Sequence, residues 1–333
     1  MKIRFFSIII AFAAIFWSCS EQMEYNEFSD FSNDEVFTSF NRTLNFVTNI
    51  YGYIDYDFGL DYSGAMLASA TDEAEYVWSF SDIHDFYNGG WSAINAKSYL
   101  WTTCYQGIRA SNYFLKASVG QTFDQFRYNT DYNDQIQRFN RYQYEVRFLR
   151  AYFYFNLVRQ YGDIPFYTDV LTEAEANTLS RRPANEIFDF IVSECNAIAD
   201  NLPASYNAYS SLPYSETGRA TKGAVLALKA RALLYKASPL FNQSNNALWR
   251  DAARASKDVI DFCAANNLVL GTYATLWGES NFSSTEMLFI RRIGDLRSLE
   301  QYNFPIGVEG GRSGNCPTQN MVDAYEMLAT GKR

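Results

Sequence analysis

Catalytic chemistry in this chain would have to be built around a single histidine, His84. A Ser-His-Asp triad would depend on that one imidazole, and a two-histidine zinc site is excluded. Cys104, Cys195, Cys263 and Cys316 form no C-x-x-C pair, which excludes zinc ribbons and dithiol redox sites. The first three of these cysteines fall in apolar helical stretches and read as buried free thiols. No G-x-G-x-x-G follows a strand, Gly307 to Gly314 lacks the Gly-Lys-Ser/Thr ending of a phosphate loop, and no G-x-S-x-G occurs. Asp55, Asp57, Gly59 and Asp61 are spaced somewhat like calcium ligands. The glycine, however, is one place early for an EF-hand, and Met66 stands at the twelfth position with no side-chain oxygen. A solvated acidic loop is the better reading, and no metal or cofactor is expected.

Asp72, Glu73 and Glu75 lie beside Tyr76 and Trp78, an arrangement that a glycosidase could use. Such an enzyme needs two carboxylates about 5 to 9.5 Å apart, one of them with a raised pKa. With 37 acidic residues in the chain, coincidences of this kind are common, and spacing in sequence fixes no spatial pair. The chain is therefore expected not to be an enzyme. Binding without chemistry fits the residues better. A sugar offers an apolar C–H face to aromatic rings and a rim of hydroxyls to Asn, Asp and Arg. Trp78 and Trp91 lie in or beside a long polar loop with Asn88 and Asn95. Trp277 lies in a Gly-Ser-Asn loop, and Tyr302 with Asn303 in another. The candidate ligand-binding residues are Trp78, Trp91, Asn95, Trp277 and Tyr302, chosen by loop position and side-chain type. Trp101 and Trp249 stand at helical core spacing and are set aside.

These loops need a scaffold, and periodicity supplies a helical one. Val36, Phe40, Leu44, Val47 and Tyr51 step by three or four residues after a cap at Asn33 or Asp34, and Gly52 closes that helix. Tyr53 to Gly90 has no sustained period and reads as a long loop, a length usually tied to function or disorder. Helix resumes near Trp91 and runs to about Ala117. A stronger one carries Tyr142, Val146, Leu149, Phe153 and Leu157 on one face and ends at Gly162 and Pro165. Pro183 opens a helix with Ile187, Ile191, Cys195, Ile198 and Leu202, and Pro203 stops it. An alanine-rich helix (Ala220, Ala224, Leu228, Arg231, Tyr235) and another with Trp249, Ala253, Ser256, Ile260 and Cys263 follow. Beyond Leu270 the texture is irregular and partly β. The expected fold class is mainly α: irregular tetratricopeptide-like helix pairs, with long decorating loops and little β.

Charge and the N-terminus bound the location. The formal net charge of -9 argues against a nucleic-acid binder. Lys2 and Arg4 precede an apolar run from Phe5 to Trp17, too short to cross a bilayer, and Ser18-Cys19 follows as in a lipoprotein cleavage box. Residues 1–18 read as a lipoprotein signal peptide, Cys19 as the lipidated first residue, and 19–32 as a flexible tether. Residues 33–333 form the folded domain.

Five blocks carry a family resemblance. Glu145 to Pro165, EVRFLRAYFYFNLVRQYGDIP, resembles the signature helix of the SusD/RagB family, outer-membrane lipoproteins of Bacteroidetes that capture nutrients. Trp101 to Asn112, Arg182 to Pro203, Gly218 to Tyr235 and Pro317 to Met327 agree with it and come in family order. The signature helix is explained by packing, so Glu145 and Arg147 are expected to be structural. The resemblance implies non-catalytic capture of an oligosaccharide or polysaccharide at the cell surface. It also implies delivery to a SusC-like TonB-dependent transporter, anchorage through Cys19, and no nucleic-acid partner. The alternatives are peptide capture, as in some relatives, or a glycoside hydrolase using Asp72 and Glu73. Family members are usually longer beyond the last block, so the domain is expected to be incomplete at its C-terminus.

Overall fold

A computed structural model describes residues 33–55, 60–61, 63–97, 100–206, 216–242, 246–276, 284–292 and 297–332. With 57% helix and 6% strand, the chain is mainly α. Among the described residues, six helices of twelve or more residues form the frame: α1 (Phe40–Tyr51), α2 (Leu100–Ala117), α3 (Tyr132–Tyr161), α4 (Ala184–Ile198), α5 (Lys222–Ala237) and α6 (Asn246–Ala265). Each of α2 to α6 packs on the next in chain order, and α1 lies against α2 and α3.

The core follows the signature helix. Val146, Leu149, Phe153 and Leu157 of α3 are fully buried, together with Phe148, Tyr154, Phe155 and Val158. Burying each such side chain stabilises by about 1.5–3 kcal/mol, so α3 is the spine. It meets α2 at Gly107, where an added Cβ would stand 2.5 Å from the Phe153 ring. The helix stops at Gly162, whose φ of +70° suits glycine and whose N–H reaches the Val158 carbonyl. The next residues serve α4. Asp163 accepts from the backbone N–H of Ala184 at the start of α4, at 2.8 Å, and so caps a helix that Pro183 introduces without a side-chain cap. Ile164–Pro165 (β4) then pairs antiparallel with Arg181–Arg182 (β5).

The polar residues of α3 are paired inside the core. The fully buried Glu145 accepts from Tyr51 (2.8 Å), Arg219 (2.9 Å) and Arg141 (3.2 Å). Burial alone would raise its pKa; the guanidinium groups of Arg219 and Arg141 outweigh that and hold the carboxyl below its ordinary range. Arg147 forks onto Glu194, which also takes Arg150. Both residues are structural, as the packing argument expected.

Three expectations need correction. The first helix does not run unbroken from Asn33. A short helix (Asn33–Val36) ends, and α1 begins at Phe40. The hydroxyls of Thr38 and Thr43 take the Glu35 and Val36 carbonyls, competing with the helix ladder at the break, where Phe37 dives into the core. The second helix starts at Leu100, not near Trp91, because Trp91 to Asn95 folds into its own turn. In α6 the strip read as core faces outward: Trp249 is 45% and Ile260 62% exposed, while Ala252 and Ala255 are buried and Phe262 lies against Gly223 of α5.

Candidate functional site

Apart from the helical core, a second small cluster forms around Ala65, Tyr76 and Ile83, with Phe86 and Tyr302 packed on it. Two distant segments build this lobe. Ala74–Tyr76 (β3) pairs antiparallel with Asn315–Pro317 (β6), and the Val77 N–H extends the ladder to the Gly314 carbonyl. A second two-stranded ladder, Leu60–Asp61 (β1) with Ala65–Met66 (β2), lies alongside. The side chain of Asn315 ties the two together. Its carbonyl oxygen accepts from the Met66 N–H and the Ser69 hydroxyl, and its amide donates to the Gly64 carbonyl. A buried amide with every group in use is specific glue.

Rings are displayed on this frame. Tyr76 is buried, and its hydroxyl donates to the Ser63 carbonyl; burial and then the neighbouring Tyr302 raise its pKa. The next rings along the chain are open to solvent: Trp78 is 38% and Phe80 65% exposed, with centroids 6.2 Å apart and planes inclined by 30°. Trp78 cannot swing freely, because its indole N–H donates to the Arg312 carbonyl at 3.2 Å. Tyr302 sits 6.4 Å from Tyr76, and the Arg312 guanidinium lies over the Tyr302 ring at 5.2 Å, donating to its hydroxyl at 3.2 Å.

His84 braces the same turn. Its Nε2 lies 2.9 Å from the Trp78 carbonyl, which can only accept, so Nε2 carries a proton, and Nδ1 shares a hydrogen bond with the Tyr87 hydroxyl. The one histidine is thus spent on architecture. Trp91 is 49% exposed and rests on Phe86, centroids 4.8 Å apart. The N–H of Asn95's amide donates to the Gly90 carbonyl at 2.7 Å and stabilises the turn that presents Trp91. Asp85, below it, takes Lys97 at 2.9 Å, and hydrogen bonding by that ammonium lowers its pKa.

The structure therefore gathers Trp78, Trp91, Asn95 and Tyr302 into one lobe. Trp277 lies outside the described residues, as do Cys19, Asp57 and Gly59. Trp101, set aside as core, does pack edge-on to Tyr105 and Tyr161. Trp249, set aside with it, is surface. Phe80, Tyr87 and Arg312 were missed. Phe80 lies in the turn that the Ser81 N–H closes on the Trp78 carbonyl, two residues past the ring already singled out. Asp72 and Glu73 are exposed at the far end of β3, where their carbonyls accept from the Thr318 hydroxyl and N–H.

Two clefts of about 450 and 720 Å³ flank the Thr217–Arg219 turn, away from the rings. Arg219 on their shared wall is committed to Glu145, Glu216 and Thr48, so its hydrogen-bonding capacity serves the fold.

Fold and lobe together define a protein of stacked helix pairs that carries an aromatic, loop-built surface on one side. The family model described as "Starch-binding associating with outer membrane" matches residues 22–234, and the chain belongs to this SusD-like family. SusD-like protein P25 of Formosa agariphila is 27% identical over 163 residues, which are 48% of this chain and 28% of that protein. A crystal structure of a SusD-like carbohydrate-binding protein from Bacteroides fragilis is 25% identical with a TM-score of 0.68, covering 89% of this chain and 55% of the other. Surface glycan-binding protein A from Bacteroides uniformis, 21% identical with a TM-score of 0.56, shares the fold over 75% of this chain and 52% of its own. The chain thus spans about half the length of these solved structures.

Proposed function

We propose that this protein captures an oligosaccharide or polysaccharide without chemical conversion and hands it to a SusC-like TonB-dependent transporter. It would work from the outer face of the outer membrane, held there through an acylated Cys19. The observation that carries the reading is the pair of exposed rings of Trp78 and Phe80, centroids 6.2 Å apart and planes inclined by 30°, with Trp78 held by its indole hydrogen bond just beyond the β3–β6 ladder. Rings fixed in advance lose little entropy on binding, which is what a flat C–H sugar face requires. Trp91 and Tyr302 extend the surface, Asn95 holds it, and Trp277 stays a candidate contact.

Calorimetry against plant, host and microbial polysaccharides tests this, with product analysis of the same samples. Trp78→Ala with Trp91→Ala should weaken glycan binding by about tenfold per 1.4 kcal/mol of lost stacking, with the helical circular dichroism unchanged. Asp72→Asn with Glu73→Gln should change little. Product release that depends on those carboxylates would replace capture by hydrolysis, and binding confined to peptides would discard the sugar.

A further inference from the structure

We infer that the aromatic lobe selects a glycan bearing an anionic substituent, a carboxylate or a sulfate ester, and that Arg312 is the residue that reads it. This inference rests on the capture reading above. Arg312 is exposed, yet its side chain is fixed at two points, by the Tyr302 ring beneath the guanidinium and by the Tyr302 hydroxyl. Its backbone is fixed as well: the N–H donates to the Gln301 carbonyl at 2.8 Å, and the carbonyl accepts the Trp78 indole. Among the described residues no carboxylate lies within 4.0 Å of its guanidinium. That contrasts with Arg147, Arg150 and Arg219, each of which has a glutamate. A planar fork with one donor engaged keeps others for a ligand, and its geometry matches a carboxylate or sulfate.

Glu300 and Glu309, exposed on Arg312's own segment, make no ion pair with it within 4.0 Å, and the acids on the β3 side are paired or turned elsewhere. Asp82 and Asp85 are both paired with Lys97. Asp72 and Glu73 stand at the Thr318 end of the β3–β6 ladder, the end opposite Trp78 and Arg312. Glu75 alternates to the face opposite Tyr76, toward Tyr87. A ring pair beside one braced cation fits a sugar whose C–H face stacks while its acid group meets the guanidinium.

The test measures the mature chain against paired probes: oligogalacturonate and its methyl ester for the carboxylate, and a sulfated galactan oligosaccharide and its desulfated form for the sulfate. A glycan array of acidic and neutral sugars widens the panel. The expected result is that an acidic member binds about tenfold or more tightly than its neutral partner, a preference that added salt weakens. Arg312→Gln should abolish the preference, and Arg312→Lys should keep only part of it. Trp78→Ala should weaken both members of the pair alike. Equal binding of both members, binding confined to neutral glycans, or a preference that survives Arg312→Gln would overturn the inference and leave capture standing. No binding to any glycan by the unaltered chain would overturn both.

Discussion

Gly64 lies flat against the ring of Tyr302, so close that a Cβ at residue 64 would fall inside the ring's van der Waals envelope. Its φ of +101° is also one that side-chain-bearing residues rarely adopt. Gly64→Ala should therefore displace Tyr302, and the Arg312 guanidinium stacked on it. Ligand affinity should fall several-fold while α1 to α6 remain folded. Isothermal titration beside far-ultraviolet circular dichroism checks both halves.

Glu145 should be the most costly single polar residue to remove. Glu145→Gln leaves Arg141 and Arg219 buried without their shared carboxylate, which costs about 3–5 kcal/mol by the general behaviour of broken buried pairs. Urea unfolding measures it.

The same carboxylate sets an acid limit. Its folded pKa lies below the ordinary value of 4.5, as does that of Glu194, where burial raises it but Arg147 and Arg150 prevail. Groups shifted in this direction contribute stability that is fully present above the unfolded value and lost as pH falls through the folded one. The thermal midpoint should be flat from neutral pH down to about 5 and then drop, and Glu145→Gln should drop less steeply.

Thiol reactivity should divide the cysteines in two. Burial first, then nearby Asp55 for Cys104 and Glu194 for Cys195, pushes both thiols up to about 12. Cys263 and Cys316 are only half-buried. A thiol-specific dye should label Cys263 and Cys316 in the native chain, and Cys104 and Cys195 only in denaturant. Peptide mapping identifies the labelled positions.

Replacing Cys19 with Ala should move the protein from membrane to soluble fractions, because the anchor proposed here is that residue's acyl chains. Retention in the membrane would place the anchor elsewhere.

The helices were legible where apolar spacing was strict and unopposed. Ile187, Ile191, Cys195 and Ile198 give α4, and Val146, Leu149, Phe153 and Leu157 give α3, because fully buried faces leave a clean period of 3.6. Periodicity misled in α6, where Trp249 and Ile260 keep the helical step but the buried positions are Ala252 and Ala255, and the Phe262 ring meets Gly223 of α5. At Phe40 a local competition of threonine hydroxyls, invisible to a periodicity count, set the boundary. The candidate rings were found by asking which aromatics fall in loops, and three of them, Trp78, Trp91 and Tyr302, share one lobe with Asn95. What could not be read was their meeting: β3 and β6 are three residues each, too short for any pattern. Phe80 and Arg312 were missed because their relevance depends on that pairing.

The partners in that pairing are far apart in the chain: Trp78 and Arg312 are separated by 234 positions. Neighbouring helices can dock as each emerges, since their contacts are local and close quickly. The lobe has to wait, because Tyr76 has no partner strand until Asn315 has emerged and a very long loop has closed. The aromatic lobe is therefore assembled only after the helical scaffold behind it is already standing.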